Sequence, residues 1–413
     1  MRSVRDTPTR SRSAQFLTAS AALAATAMLV ASCSTAINGE AVKAAGGPPP
    51  GQIDVALLDV GNYPTKPRPM GTAGNPELGA IVEGQRMANY VTGPWEVDPA
   101  LIRGSANGAL VIKNAGAVKF VLPESLAAPA ARHNFITGYY TAREDTDHKE
   151  LDNAVLRFAD PASAADAAKE ISDAAAAEPV VNPPVTPVPI PGHPETAGFN
   201  QTFTESAKNL QWTQVRAFTA HGPFVLVMSA QATDNLDTAV GLIAKALDLQ
   251  VPLIDQFTPT DPAKLAELPI DPTGLLARTV PISPAAASVN QLAVYQRRGA
   301  LQLQTDPTRS SKLFNDTDMN QMANAATSVY EARDAQAAQR ITDGFFAEAS
   351  ATGKPAAPVK QMPNSRCLDI SQGKVASFYC LTTADRYAIE AQAAQLHDAQ
   401  QKTAAQYALL MAR

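Results

Sequence analysis

The sequence predicts an α+β fold made of two related units, in which mainly antiparallel sheets carry helices on one face. Three observations favour this fold. The 413 residues exceed the ~100–200 of a typical domain. Hydrophobic residues make up 45% of the chain and charged residues 18%, which is enough apolar material to build cores. The order strand, helix, hairpin, helix occurs twice along the chain, and it is typical of α+β domains.

Charge and cysteine content exclude several classes of protein. With 34 basic and 39 acidic residues, the net charge is −5. The chain therefore lacks the basic footprint of a nucleic-acid-binding protein, and we expect no nucleic-acid partner. Three cysteines are too few for a disulfide-dense mini-protein or for a four-cysteine zinc module.

The first 33 residues have the pattern of a secretory signal. An uncharged, mostly apolar run from Phe16 to Val30 follows a basic start that contains Arg2, Arg5, Arg10 and Arg12. Crossing a hydrocarbon core takes about twenty apolar residues, so this run is too short for a membrane span. The order of basic, apolar and small residues instead predicts export.

The end of this signal, Val30-Ala31-Ser32-Cys33, resembles the lipobox of bacterial lipoproteins. The resemblance implies that the signal peptide 1–32 is removed and that Cys33 receives a diacylglyceryl thioether. Acyl chains, palmitate among them, contribute ~0.8 kcal/mol per buried methylene, so two of them anchor a protein stably. We therefore expect a protein anchored by lipid to the extracytoplasmic face of the cell membrane. The alternative is an ordinary signal peptide that happens to contain a cysteine.

The remainder divides into a tether and two domains. Residues 33–52 include the Gly/Pro-rich run 46–51, which predicts an extended or flexible linker. Prolines between Pro252 and Pro272 break the pattern of regular elements, so we place an N-terminal α+β domain at 53–255 and a C-terminal one at 256–413. Residues 53–130 are less regular and are assigned no motif.

A strand followed by a capped helix occurs in both domains. Residues 154–158 alternate as a strand, Asp160 suits the N-cap of a helix, and Pro161 suits its first turn. Residues 328–345 repeat this order with Asp334 as the cap. The predicted inner stripe of the first helix lies 174 residues before its counterpart in the second, pairing Ala164 with Ala338, Ala167 with Ile341 and Ile171 with Phe345.

A hairpin and a second helix follow in each domain. In the first domain, strands at 213–219 and 224–229 flank a turn at 220–223, and a helix begins at Asp234 with the stripe Leu236, Val240, Ile243 and Leu247. In the second, strands at 375–382 and 386–392 flank a turn near Ala384-Asp385. The closing helix carries the stripe Leu396, Thr403, Tyr407 and Leu410.

The proline-rich segment 179–194 interrupts the first domain. Its seven prolines cannot belong to a helix or a central strand, so an extended insertion is predicted. A surface loop is the preferred interpretation, because the segment carries no charge pattern, and a binding arm is the alternative.

Cys367 and Cys380 are predicted to form a structural disulfide. A two-residue turn at Gly373-Lys374 places Gln372 opposite Val375, and equal steps outward place the two cysteines opposite each other. They then form a non-hydrogen-bonded pair, in which side chains approach most closely. Buried free thiols or a redox pair are the alternatives, although the spacing lacks the Cys-x-x-Cys arrangement of redox sites.

No set of residues predicts catalysis, a cofactor or a metal site. The cluster from Glu144 to His148 lies in a polar stretch, so a solvated loop is preferred to a cation site. Ser371 to Lys374 matches the Ser-x-x-Lys of penicillin-recognising enzymes, but those enzymes place both residues on one helical turn, and Gly373 lies in a predicted hairpin turn. The five histidines lack the i, i+4 spacing of a helical metal site: His133, His148, His193, His221 and His397.

Several features together resemble one family. The lipobox, the segments Leu58–Pro64 and Gln85–Ala88, the two-unit organisation and the cysteine hairpin are similar to two-domain lipoproteins of mycobacteria and related actinobacteria. That family has no assigned activity, so the resemblance implies no catalytic residue.

We therefore expect a non-enzymatic binding or sensing module whose ligand is a lipid, glycan or protein of the cell envelope. The alternative is an envelope hydrolase that uses His133 or His148 with nearby acids. A purely architectural role is a third possibility.

Overall fold

The computed structural model describes residues 53–177 and 184–412, which form one compact unit. The predicted signal peptide 1–32, the tether 33–52, the lipidation site Cys33 and the first part of the proline-rich segment lie outside the described residues.

The described residues form nine α-helices and fourteen strands, and the strands make two sheets. The helices are α1 (Pro76–Met87), α2 (Pro94–Val97), α3 (Glu124–Arg132), α4 (Pro161–Ala176), α5 (Leu236–Ile254), α6 (Arg297–Leu301), α7 (Pro307–Asp316), α8 (Ala335–Ala349) and α9 (Leu396–Met411). The strands of the first half are β1 (Arg103–Ile112), β2 (Phe135–Asp145), β3 (Lys149–Phe158), β4 (Thr186–Pro187), β5 (Ala197–Glu205), β6 (Leu210–His221) and β7 (Phe224–Ala232). Those of the second half are β8 (Ala293–Gln296), β9 (Gln321–Asn324), β10 (Thr327–Glu331), β11 (Lys354–Ala356), β12 (Arg366–Asp369), β13 (Phe378–Ala384) and β14 (Tyr387–Ala393).

The two halves share one topology. The first sheet has the strand order β1-β2-β3-β7-β6-β5-β4, and the second has the equivalent order β8-β9-β10-β14-β13-β12-β11. Helices are inserted at the same points, since α4 and α8 follow the third strand of each half and α5 and α9 follow the last. The predicted α+β fold with two related units and antiparallel sheets is confirmed. The repeat extends over seven strands, more than the sequence pattern revealed.

The predicted helix caps agree with the structure at the two repeated positions. The carboxylate of Asp160 accepts the backbone N–H of Ser163 at 2.8 Å, and that of Asp334 accepts the N–H of Ala337 at 2.7 Å. The cap of α5 differs by one residue. Asn235 accepts the N–H of Thr238, while the predicted cap Asp234 accepts the hydroxyl of the same threonine.

The position of the helices differs from the prediction, because they cover both faces of each sheet. In the first sheet Leu156 packs in the cluster of α4, whereas its neighbour Val155 packs in the cluster of α5. In the second sheet, α8 and α9 divide in the same way between two clusters. The reason is visible in the strands: residues 154–156 and 225–228 are apolar at consecutive positions, a pattern typical of strands buried on both faces.

One hydrophobic cluster joins the two halves. It contains Ile243 of α5 and Ile341 of α8, so the inner faces of both sheets contribute to a single core. The segment 87–101, which is assigned no motif from the sequence, contributes buried side chains to this shared core. They include Val91, Trp95 and Leu101. The two sheets are therefore held together by apolar packing.

A buried ion pair joins α1 to the first sheet. Glu83 of α1 pairs with Arg157 of β3, and both side chains are withdrawn from water. Glu83 also accepts the N–H and the hydroxyl of Thr260 at 2.8 and 2.9 Å. Three distant parts of the sequence therefore meet at one carboxylate.

The described part of the proline-rich segment is extended but not a free surface loop. Thr186–Pro187 forms the edge strand β4, where a proline is tolerated because one side of the strand needs no hydrogen bonds. Ile190 is buried in the shared core.

Candidate functional site

The inner face of the second sheet is apolar at one end and polar at the other. Tyr330 on β10 lies opposite Ala388 on β14, and both belong to the shared core. One step along the same face, Ser328 lies opposite Glu390, and both side chains are only half-buried. The apolar side chains that pack under α8 therefore do not extend to the end of β10 and β14.

A polar groove of about 830 Å³ lies over this end of the sheet. Hydroxyl and amide side chains form most of its polar lining, and the tip of the cysteine hairpin forms one side. Its lining includes Gln291, Asn324, Ser328, Ser377, Glu390 and Gln392.

A smaller side pocket of about 270 Å³ opens beside the polar groove. It lies against α8 and is lined by aromatic rings together with two carboxyl groups, those of Glu348 and Glu390. Four residues line both the groove and the side pocket, namely Ile370, Gln372, Glu390 and Gln392. The two cavities therefore form one candidate site with Glu390 at their junction.

Glu390 has an unusual electrostatic environment. Withdrawal from water raises the pKa of its carboxyl group to about 7, and the hydroxyls of Tyr330 and Tyr379, which donate to it, oppose this rise. The Tyr330 hydroxyl lies 3.1 Å from the Glu390 carboxylate. Burial also raises the pKa of Glu348. The site can therefore take up or release protons near neutral pH.

The first sheet does not repeat this arrangement. Ala154 pairs with Val227 there as Ser328 pairs with Glu390 in the second sheet. Val227 is buried in the apolar cluster under α4. The carboxyl group at this position therefore belongs to the second half alone, although the topology of the halves is the same.

The cysteine hairpin supplies part of the site. Cys367 and Cys380 lie directly opposite each other with Cα atoms 4.1 Å apart and form a disulfide, which confirms the predicted pairing. Gln372 and Val375 exchange backbone hydrogen bonds of 3.0 and 2.9 Å, as the predicted turn requires. Residues at the tip line the polar groove, so the disulfide stiffens one of its walls.

The residues considered for hydrolysis lie elsewhere. His133 is beside Glu170 at 2.9 Å, and His148 is exposed in the turn between β2 and β3. Both belong to the first half, and neither lines the groove or the side pocket. Lys374 lies in the hairpin turn and Ser371 lies just before it, so neither is on a helix.

The described ranges 53–177 and 184–412 show neither a metal site nor a membrane span. Within these ranges, His, Cys, Asp and Glu form no group of three or more that is placed to hold a metal ion. No helix there combines the length and the apolar character that a membrane span needs.

A larger cleft of about 950 Å³ lies between α1 and the β8 edge of the second sheet. Its three arginines already have partners within the protein. Arg86 pairs with Glu83, Arg298 pairs with Glu96, and Arg297 donates to the carbonyl of Met319 at 2.8 Å. We therefore favour the polar groove, where the central carboxyl group lacks a cationic partner among the lining residues.

The predicted sites did not include Glu390. The period of β14 places it on the same face as Ala388, which is a signal that an acid lies on the inner side of the sheet. The sequence does not show where the helix covering that face ends.

Comparison with known proteins gives two matches within one family and a weak likeness to a solved structure. Residues 70–270 match the N-terminal part of DUF7373, a domain of unknown function, and residues 275–413 match its C-terminal part. No curated protein matches the chain. The extracellular domain of PknH from Mycobacterium tuberculosis is 14% identical over 40% of this chain and 94% of that chain, with a TM-score of 0.28. A TM-score this low does not support a common overall fold.

Proposed function

Since the chain belongs to the DUF7373 family, whose domains have no known function, we propose its function from its own site. We propose a non-enzymatic binding or sensing module, held at the extracytoplasmic face of the cell membrane by lipid on Cys33, that binds a polar ligand in the groove around Glu390. The single observation that carries the proposal is this carboxyl group, set among hydroxyl and amide side chains at the open end of an otherwise apolar sheet face.

The lining of the groove supports recognition of a ligand with several hydrogen-bonding groups. The Gln392 amide nitrogen donates to the Ser377 hydroxyl at 2.7 Å, which orients the amide and leaves its carbonyl oxygen able to accept. The Ser328 hydroxyl donates to the side-chain Oδ1 of Asn324 at 3.3 Å. Side chains held in place by such bonds bind with less loss of conformational entropy.

The proposed location is supported by the signal-like start and by the disulfide. Disulfides persist in oxidising, exported compartments and are rare in the cytosol. We also propose that this protein is one of the lipid-anchored proteins of mycobacteria and related actinobacteria that its sequence resembles.

A hydrolase remains the second candidate because one observation favours it. Glu348 and Glu390 line the same pocket, and a carboxyl group with a pKa near 7 suits general acid–base catalysis. We prefer binding because the described residues of the pocket include no histidine, lysine or cysteine to act with them. Turnover of ester, glycan or peptide substrates by the wild type, abolished in Glu390→Gln, would favour the hydrolase.

The test uses the full chain in mild detergent and a change that fills the groove. Ser377→Trp places a large ring at the hairpin wall, while Gln211→Trp adds the same ring at an exposed position of β6 in the first sheet. Thermal unfolding is followed with panels of amines, sugars and short peptides. A ligand should raise the midpoint of wild type and Gln211→Trp but not that of Ser377→Trp. Equal responses in all three proteins would place binding outside the groove.

A further inference from the structure

We propose that the side pocket binds a positively charged group, an ammonium or guanidinium carried by an otherwise polar ligand, with Glu390 and Glu348 as its counter-ions. This inference rests on the proposed function and specifies the chemistry of the same site.

Charge is the first argument. Among the described residues lining the side pocket, two are acidic and none is Lys, Arg or His. The other titratable groups that face Glu390 are the hydroxyls of Tyr330 and Tyr379. Behind Glu348, the opposite charges of Arg309 and Asp306 act against each other. A cationic ligand would therefore meet carboxylates that the protein leaves largely uncompensated.

The aromatic walls are the second argument. Tyr330, Phe345 and Tyr379 line the side pocket, and the rings of Tyr330 and Phe345 lie 5.1 Å apart at 68° to each other. The faces of aromatic rings carry negative potential and attract cations, more strongly where water is excluded. A pocket whose lining combines acids with aromatic rings is therefore suited to an organic cation.

Size and continuity are the third argument. The side pocket has space for an ammonium or guanidinium group with a short stem, and it opens onto a groove about three times larger. The hydroxyl and amide groups of the groove would bind the polar remainder of the ligand. The shared residue Glu390 would contact the ligand where its charged group joins this remainder.

Because Glu390 titrates near neutral pH, the proposed binding should depend on pH. With a pKa of about 7, this carboxyl group is mostly ionised at about pH 8 and only a few per cent ionised at about pH 5.5. A cation that needs the ionised form should therefore bind about 30-fold more weakly at the lower pH, because apparent affinity scales with the competent fraction.

The experiment compares matched probes that differ in charge. Nα-acetyl-lysine amide and Nα-acetyl-ornithine amide carry a side-chain ammonium group at both pH values used below, and their side-chain N-acetylated counterparts do not. Affinities for the full chain in detergent are measured by saturation-transfer NMR up to about 10 mM, at about pH 8 and about pH 5.5. We expect at least one charged probe to bind, its N-acetylated partner to bind at least tenfold more weakly, and the affinity to fall at low pH.

Three variants test whether the charged probe binds at the two acids of the side pocket. Glu390→Gln should lower the affinity for the charged probe by at least tenfold and reduce its pH dependence. Glu348→Gln should lower the affinity by a smaller factor, and it keeps the test decisive if the first variant fails to fold. Glu267→Gln, at an exposed acid outside the site, should change nothing.

Each other outcome overturns the inference. Equal binding of charged and neutral probes, or unchanged affinity in both Glu390→Gln and Glu348→Gln, excludes the acids as counter-ions. Binding of neutral probes alone, lost in Ser377→Trp, overturns the cation site but leaves the proposed groove intact. No binding of any probe counts against the cation site here, while the wider panel of ligands tests the groove separately.

Discussion

Glu390 is an acid on the inner face of a sheet, and its cost to stability depends on pH. Its pKa is raised from the ordinary 4.5 to about 7, so the unfolded chain loses this proton at lower pH than the folded one. The contribution of Glu390 therefore destabilises the fold increasingly as pH rises from about 4.5 to about 7 and stays constant above.

Glu390→Gln should remove this dependence. Compared with the wild type, the variant is expected to gain stability as pH rises, by up to about 3 kcal/mol above pH 7. Urea unfolding of both proteins across this pH range checks the prediction. Two curves that run parallel would mean that the carboxyl group titrates normally.

Unlike Glu390, Glu83 is expected to stabilise the fold, because its carboxylate compensates a buried positive charge. Its partner Arg157 is 2% exposed, and removing one member of a buried ion pair typically costs about 3–5 kcal/mol. Glu83→Gln is expected to lower the free energy of unfolding by this amount. Glu77→Gln, at an exposed position of the same helix, serves as the control in chemical denaturation. A loss equal to that of the control would show that the pair contributes nothing.

At the scale of elements, the cysteine hairpin is a local staple. A disulfide that closes so short a loop should contribute about 3 kcal/mol in the chain-entropy model. Cys367→Ala combined with Cys380→Ala should therefore lower stability by up to this amount. A reducing agent should lower the unfolding midpoint of the wild type and leave the variant unchanged. An unfolding midpoint of the wild type that does not change on complete reduction would contradict the prediction.

Local signals predicted the repeated elements well. The caps Asp160 and Asp334, the hairpin turn at Gly373-Lys374 and the cysteine pair each depend on neighbours within a few residues, so the sequence determines them directly. The missed strands β8 and β9 are only four residues each, too short for a clear alternation.

Features set by tertiary packing were not predictable. The alternation through Val155 predicts a strand covered on one face, whereas the continuous apolar run around it is buried on both faces. Glu390 was missed for a related reason. The environment of Glu390 depends on how much of the sheet α8 covers, and no local sequence pattern predicts that extent.

At the scale of the whole molecule, the proposed anchoring makes a separate prediction. Cys33→Ala should abolish incorporation of labelled palmitate and move the protein from the membrane fraction to the extracytoplasmic or culture fluid. Cys367→Ala with Cys380→Ala should keep the label, because those cysteines are paired in the folded domain. An unlabelled wild type, or a Cys33→Ala protein that fractionates as before, would contradict lipid anchoring.

The central claim is that the polar groove of the second sheet is where this protein binds its ligand. Nitrogen-15 NMR of the glutamine side-chain amides tests it most directly, because Gln291, Gln372 and Gln392 line the groove while Gln211 and Gln256 are exposed elsewhere. On titration with Nα-acetyl-lysine amide at about pH 8, where its ammonium group is charged, we predict saturable shifts of the groove amides and none at the two distant ones. Shifts confined to the distant amides, or an unchanged spectrum with every probe and panel ligand, would contradict the account.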